Sequence, residues 1–130
     1  MTTILVAEDE PDLRLLMRLT LSRDGFDVVD VGSGEEAIAR LTADEGIGLA
    51  VIDLRMPGIG GFAVLEALRA AGTLERLGVV VVSAHADTDV QTSALDRGCD
   101  AYVSKPFKPA ELLAVVREVL GRGQSKKGTS

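Results

Sequence analysis

Short apolar segments alternate with longer segments of mixed polarity along this chain, and the alternation occurs five times. Residues 49–52 and 79–82 have no polar position at all, which is typical of strands buried on both faces of a parallel sheet. The pattern predicts five strands: Ile4–Ala7, Phe26–Val31, Leu49–Ile52, Val79–Val82 and Ala101–Val103.

The segments between these strands have the three- and four-residue spacing of amphipathic helices. Residues 34–43 and 61–71 predict two short helices, and 87–97 predicts a third with so few apolar positions that we expect it to be the least firmly packed. The last helix is expected to begin at Pro109 and to stop at Gly121. The first helix has Pro11 in its first turn, and its predicted apolar face consists of Leu13, Leu16, Met17, Thr20 and Leu21.

Strands that alternate with helices require crossover connections, which place helices on both faces of a parallel sheet. We therefore predict an α/β fold, with a five-stranded parallel sheet that is doubly wound, in one domain over residues 1–121. Residues 122–130 have no apolar side chain to bury, and we expect a flexible basic tail or a truncated linker there.

The composition excludes several classes of protein. Of the 130 residues, 46% are hydrophobic and 26% are charged, as in a soluble globular domain. The net charge of −6 argues against direct binding of nucleic acid, whose phosphates require a basic surface. Cys99 is the only cysteine, which excludes an internal disulfide. The sequence has neither a secretory signal nor an apolar run of roughly 18 residues, so we expect a cytoplasmic protein without a membrane partner.

Ionisable and hydroxyl side chains lie at the carboxyl ends of four predicted strands, where ligands bind in open α/β sheets. Glu8 and Asp9 follow the first strand, Asp53 the third, Ser83 the fourth and Lys105 the fifth. Clustered carboxylates repel one another unless a cation lies among them, and hard oxygen ligands suit Mg²⁺. Because an ionised carboxylate can act as a nucleophile, the pattern predicts an aspartyl phosphate on Asp53.

Four segments of the chain resemble the receiver domain of two-component response regulators, in the same order and with the same spacing. These segments are Ile4–Glu10, Val51–Gly58, Val80–Ala84 and Ala101–Phe107, and the resemblance extends over residues 3–121. It implies a flavodoxin-like sheet with the strand order 2-1-3-4-5. It also implies a signalling protein of the phosphorelay that catalyses only its own phosphorylation and dephosphorylation, and not a metabolic enzyme.

The resemblance implies a role for each residue of the acidic cluster. Asp53 would accept the phosphoryl group from a sensor histidine kinase or a phosphotransfer protein. Asp9, Asp53 and the main-chain carbonyl of Arg55 would ligate Mg²⁺ directly, whereas Glu8 would act mostly through water.

The resemblance also implies a switch. Ser83 would hydrogen-bond to the phosphoryl group, Lys105 would pair with a phosphate oxygen, and the bond from Lys105 to Pro106 would be cis. Tyr102 would then turn from exposed to buried. The face formed by the fourth helix, the fifth strand and the fifth helix would signal to a downstream protein target or a fused output domain, and a homodimer could form through it.

Some positions differ from the most frequent pattern of the family. Glu8 replaces the more frequent Asp, and Ser83 replaces the more frequent Thr; both keep the required chemistry. Gly60 stands where Asp is usual, which is expected to loosen the loop before the third helix. Arg55 and His85 occupy positions that tune dephosphorylation in the family.

Residues Gly32–Ala37 fit the dinucleotide-binding pattern G-x-G-x-x-A. Glu35 and Glu36 would, however, lie where the pyrophosphate must bind, and their charge would repel it. We therefore interpret Ser33 and Glu36 as a capping box at a helix start.

The residues bear on two further alternatives to a phosphoacceptor. A phosphatase or mutase of the haloacid dehalogenase class needs an acid two positions after its nucleophile, where this chain has Arg55. An unphosphorylated receiver-like protein-interaction module would have lost Asp53, Lys105 or the acidic pair, and all are present. That module stays as the alternative function.

Overall fold

The computed structural model describes residues 2–84 and 88–128, with side chains as far as residue 122. His85 therefore lies outside the described residues. The elements in chain order are β1 (Thr3–Ala7), α1 (Pro11–Arg23), β2 (Asp27–Val31), α2 (Gly34–Ala43), β3 (Ile47–Asp53), α3 (Gly61–Ala70), a short 3-10 helix (Thr73–Glu75), β4 (Gly78–Ser83), α4 (Thr88–Asp96), β5 (Ala101–Ser104) and α5 (Pro109–Gly128).

The strands form one parallel sheet in the order β2-β1-β3-β4-β5. The predicted fold class and strand order are confirmed. The largest difference at a strand end is in β3, which begins at Ile47 where the pattern predicted Leu49. All carboxyl ends of the strands lie at the same edge of the sheet, since every neighbouring pair is parallel.

Helices cover both faces of the sheet and bury two hydrophobic clusters. α1 and α5 pack on one face, where Met17 and Leu112 are fully buried. α2, α3 and α4 pack on the other face, where Leu41 and Leu65 are fully buried. Successive residues of the segment 79–82 belong alternately to the two clusters, which explains why this predicted strand has no polar position.

The predicted apolar face of α1 is wrong at Leu16, whose exposed fraction is 42%. Met17 and Leu21 are fully buried and define the direction of the core. Leu16 is rotated by about a quarter turn or more from both, since each residue advances about 100° around the helix axis. Leu15 and Leu19 are also exposed, so the solvent-facing surface of α1 carries three leucines in addition to its buried apolar face.

The prediction that the last helix stops at Gly121 is also wrong, because α5 continues to Gly128. A glycine in a helix interior costs only about 1 kcal/mol relative to alanine, and no proline follows to interrupt the helix. Within the described chain, Gly121 is not one of the glycines with a positive φ. Residues 122–128 of the expected tail are thus helical.

α4 is the least buried of the five α-helices. Among its described residues only Ala94 is buried, whereas α5 buries Leu112, Val116 and Val119. This agrees with the weak apolar pattern of the segment. No helix in the described part of the chain is long and apolar enough to cross a membrane.

Candidate functional site

A single ammonium group joins two buried carboxylates at the carboxyl edge of the sheet. Glu8 directly follows β1, Asp53 is the last residue of β3, and Lys105 directly follows β5. The Nζ atom of Lys105 lies 3.0 Å from Oε1 of Glu8 and 3.0 Å from Oδ2 of Asp53. Glu8 and Asp53 have exposed fractions of 0% and 3%, so both carboxylates depend on protein groups for compensation.

Asp9 adds a third carboxylate at the solvent side of this pair. One carboxylate oxygen from each of Glu8, Asp9 and Asp53 lies within 4.8 Å of the other two, and Asp9 is exposed. Three acidic groups thus converge, and Lys105 pairs with two of them, Glu8 and Asp53. Such an arrangement favours the approach of a further cation, because like charges at this distance repel one another.

The pKa of Glu8 is shifted by its surroundings. Burial raises the pKa of Glu8 from its ordinary 4.5 to about 7, although hydrogen bonds from Lys105 and from the Glu10 N–H act in the opposite direction. The neighbouring Asp53 raises this pKa further. For Lys105, burial lowers the pKa, but the hydrogen bonds and charges of Asp53 and Glu8 outweigh it, and the net shift is upward.

The loop after β3 fixes the second oxygen of Asp53. The Oδ1 atom of Asp53 accepts a hydrogen bond from the backbone N–H of Arg55 at 3.1 Å. The same loop packs closely against the first residue of α3, Gly61. A Cβ atom at Gly61 would lie 2.8 Å from Cα of Leu54 and 2.9 Å from the main-chain oxygen of Asp53, so only glycine fits. The role of Gly61 was not predicted from the sequence, where the pair Gly60–Gly61 before an apolar segment was its only signal.

Ser83 and Tyr102 lie on β4 and β5, the two strands that follow β3 in the sheet. Ser83 is the last residue of β4 and is fully buried, and its main-chain oxygen accepts a hydrogen bond from the N–H of Lys105 at 2.8 Å. Tyr102 lies in β5 opposite Val81 and is partly buried against the cluster under α2, α3 and α4. The Lys105–Pro106 bond is cis, as predicted.

The chain matches the family model of the response regulator receiver domain over residues 4–117. It belongs to this family. The receiver domain is 38% identical over 126 residues to the DNA-binding response regulator MtrA of Mycolicibacterium smegmatis, covering 95% of this chain and 52% of MtrA. The chain thus spans about half the length of such curated relatives. It takes part in two-component signalling.

Solved structures agree with this assignment. The receiver domain of the Francisella response regulator 1452 superposes with a TM-score of 0.87 at 27% identity, over 94% of this chain and 98% of the other. The response regulator TrrA of Thermotoga maritima, solved in complex with Mg²⁺–BeF, gives a TM-score of 0.80 at 28% identity, over 92% and 99%. Each of the two solved structures therefore shares the receiver fold with this chain along nearly its whole length.

The residues of this receiver domain fit a divalent cation. The three converging carboxylate oxygens are hard donors of the kind that Mg²⁺ prefers, and two of them belong to buried side chains. A cavity of about 400 Å³ opens beside Asp9, the exposed member of this cluster. Its lining consists of Asp9, Leu54, Arg55, Met56, Pro57, Gly58 and Gly60.

The glycine-rich segment of the receiver domain is a helix start. The Ser33 hydroxyl accepts a hydrogen bond from the N–H of Glu36 at 3.2 Å and donates one to the Glu36 carboxylate at 3.4 Å. The predicted cap is confirmed, but Glu36 bonds to the Ser33 hydroxyl and not to its backbone N–H. A Cβ atom at Gly34 would lie 2.5 Å from the main-chain oxygen of Ile59, so this glycine allows α2 to approach the loop before α3.

The loop before α3 begins its helix without a side-chain cap. Gly60 is the N-cap residue of α3, and no side-chain hydrogen bond caps this end within the described residues. An Asp at this position could accept a bond from the first turn, which glycine cannot do. The expected loosening of this loop stays a prediction, because close packing at Gly61 acts in the opposite direction.

Proposed function

We propose that this receiver domain accepts a phosphoryl group on Asp53 from the phosphohistidine of a sensor histidine kinase or a phosphotransfer protein. One observation carries the proposal: Asp53 is buried, yet its two oxygens are held separately, Oδ2 by Lys105 at 3.0 Å and Oδ1 by the N–H of Arg55 at 3.1 Å. A carboxylate can act as a nucleophile without a general base, and one fixed in this way needs little reorientation before it attacks.

In the transfer, an oxygen of Asp53 forms a bond to phosphorus while the bond from phosphorus to the imidazole nitrogen breaks. The electron pair of the broken bond stays on the imidazole of the donor. Lys105 pairs with a non-bridging oxygen of the phosphoryl group, and the Ser83 hydroxyl donates a hydrogen bond to another. Both residues already lie at the same edge of the sheet as Asp53.

Glu8, Asp9, Asp53 and the main-chain carbonyl of Arg55 would hold Mg²⁺ in this site, with Glu8 acting mostly through water. Mg²⁺ supplies positive charge to the non-bridging oxygens when it is bound. The convergence of three carboxylates within 4.8 Å supports this ligand set. So does the complex of the related TrrA with Mg²⁺–BeF.

Phosphorylation then changes the face formed by α4, β5 and α5. New charge on Asp53 draws Ser83 towards it, Tyr102 becomes more buried, and the population of an active arrangement increases. The small buried area of α4 supports the placement of this change there. Residues 1–121 would form the signalling unit, and its changed face would contact a downstream protein or a fused output domain, or a second copy of the chain.

The direct test is the mass of the intact protein after incubation with acetyl phosphate and Mg²⁺. We expect a single phosphoryl adduct in the wild type and none without Mg²⁺ or in the Asp53→Asn variant. No adduct under any condition, together with no binding of beryllofluoride, would contradict the proposal. That result would favour the alternative of an unphosphorylated protein-interaction module.

A further inference from the structure

The turn between β1 and α1, which carries both Glu8 and Asp9, is fixed by a side chain from α1. The guanidinium of Arg14 donates a hydrogen bond through Nη1 to the main-chain oxygen of Glu8 at 3.0 Å. On the other side of the same residue, the N–H of Glu8 donates to the main-chain oxygen of Val31 at 3.1 Å. Both peptide groups of Glu8 are thus held in place.

The guanidinium of Arg14 is itself held by β2. Its Nε lies 3.3 Å from Oδ2 of Asp30, and the two side chains have exposed fractions of 26% and 24%. A planar guanidinium can bond to a carbonyl and a carboxylate at the same time, which a lysine ammonium does with less fixed geometry. Arg14 therefore links β2 to the acidic turn.

Gly32 makes room for this contact. A Cβ atom at Gly32 would lie 2.8 Å from Nη1 of Arg14, the same nitrogen that bonds to Glu8. The turn after β2 therefore leaves space for the guanidinium to reach the Glu8 carbonyl. The contact thus depends on a side chain of α1 and on the turn after β2, and neither of these carries a residue of the acidic cluster.

We propose that Arg14 is a positioning residue for the cation site. The Glu8 carbonyl belongs to the peptide group that joins Glu8 to Asp9, so the hydrogen bond from Arg14 sets the direction in which the Asp9 carboxylate leaves the backbone. Glu8 has further restraints on its carboxylate from Lys105 and the N–H of Glu10. Asp9 is exposed, so its position depends mainly on the backbone.

This inference rests on the proposed function, since it presumes that the acidic cluster binds Mg²⁺. Arg18 provides a matched control. It lies one helical turn after Arg14, and its Nη1 atom lies 2.8 Å from Oδ1, the other carboxylate oxygen of Asp30. Replacing Arg18 removes a similar charge and a partner of Asp30, but leaves the bond from Arg14 to Glu8. Any effect of lost charge or lost α1–β2 contact is therefore shared by both variants.

The experiment is a calorimetric titration of Mg²⁺ into the unphosphorylated full chain, with the melting temperature without Mg²⁺ measured in parallel. We expect Arg14→Ala to weaken Mg²⁺ binding about tenfold, as is typical when a group that orients a metal ligand is lost. Arg14→Lys should recover part of the affinity. Arg18→Ala should bind Mg²⁺ like the wild type, although both alanine variants lose a contact with Asp30.

Gly32→Ala tests the same contact without removing the charge. The added methyl group would displace the end of the Arg14 side chain, so this variant should also weaken Mg²⁺ binding. In the Arg14→Ala background the same change should have no further effect. If Arg14→Ala folds poorly, Gly32→Ala alone keeps the inference testable, because it retains Arg14 and its charge.

Wild-type affinity in Arg14→Ala, or equal weakening in Arg14→Ala and Arg18→Ala, would overturn the role of Arg14 and leave the proposed function intact. Absence of Mg²⁺ binding by the wild type would instead overturn the metal-dependent function and the inference together. The two failures are therefore distinguishable in one set of titrations.

Discussion

The Lys105 ammonium lies 3.0 Å from Oδ2 of Asp53 while it also contacts Glu8 at 3.0 Å. The proposed phosphoacceptor therefore shares its cation with a second buried acid. The proximity of Asp53 also contributes to the raised pKa of Glu8.

Lys105→Ala should keep the fold but destabilise it when Mg²⁺ is absent. Removing one partner of a buried ion pair leaves uncompensated charge, and after a discount for the 20% exposure of Lys105 we expect a loss of about 2 kcal/mol. Urea denaturation in a chelating buffer measures this loss. The exposed Lys108, in the same loop, provides the control, and equal stability of the Lys105 and Lys108 alanine variants would contradict the ion pair.

The stability of the Mg²⁺-free protein should depend on pH through Glu8. The pKa of Glu8 in the folded protein is raised from 4.5 to about 7, so across this window the folded state retains a proton that the unfolded state has released. The free energy of unfolding should therefore have a contribution from Glu8 that is present at low pH and is lost as the pH rises through this window.

Urea denaturation over this pH range, compared between the wild type and Glu8→Gln, isolates the contribution of Glu8. The amide keeps a hydrogen-bonding group at the site but cannot ionise, so the variant should lack this part of the pH dependence. Identical slopes for the two proteins would show that Glu8 ionises normally.

Two glycine-to-alanine substitutions should have opposite effects. At Gly61 the new methyl group would meet the backbone of Leu54 at 2.8 Å, and we expect a destabilisation of about 1–3 kcal/mol from overpacking. At Gly121 a Cβ atom would have no neighbour within 4 Å, and alanine should stabilise helix α5 by about 0.5–1 kcal/mol. Chemical denaturation measures both changes, and a gain of stability at Gly61 would rule out the close approach.

Backbone amides of α4 should exchange with solvent faster than those of α1 and α5. α4 buries Ala94 alone among its described residues, so little apolar area opposes its local opening. Hydrogen exchange followed by NMR or mass spectrometry compares the helices directly. Slower exchange in residues 88–96 than in the two other helices would remove α4 from the proposed switch.

The sequence predicted the strands well because burial on both faces leaves a continuous apolar run. β4 shows this most clearly, since its valines alternate between the two hydrophobic clusters. The convergence of Glu8, Asp53 and Lys105 was also predictable, because parallel strands end at the same edge of a sheet. Their roles in phosphoryl transfer stay predictions.

Other features depend on contacts that no sequence pattern contains. Leu16 has a suitable spacing for the core, but the direction of the buried face of α1 is set by Met17 and Leu21. Gly121 resembles a helix stop, yet the helix continues because an interior glycine costs little. The contact of Arg14 with Glu8 requires the turn at Gly32 to come close, which only the folded sheet brings about.

Glu8 and Lys105 are separated by 97 positions along the chain. During synthesis from the amino terminus, a nascent chain that ends before β5 has the two carboxylates but lacks the ammonium that balances them. The acidic edge of the sheet is therefore complete only when nearly the whole domain has left the ribosome. The proposed phosphoacceptor site thus forms only as the fold is completed, and a fragment truncated before Lys105 would lack its ammonium.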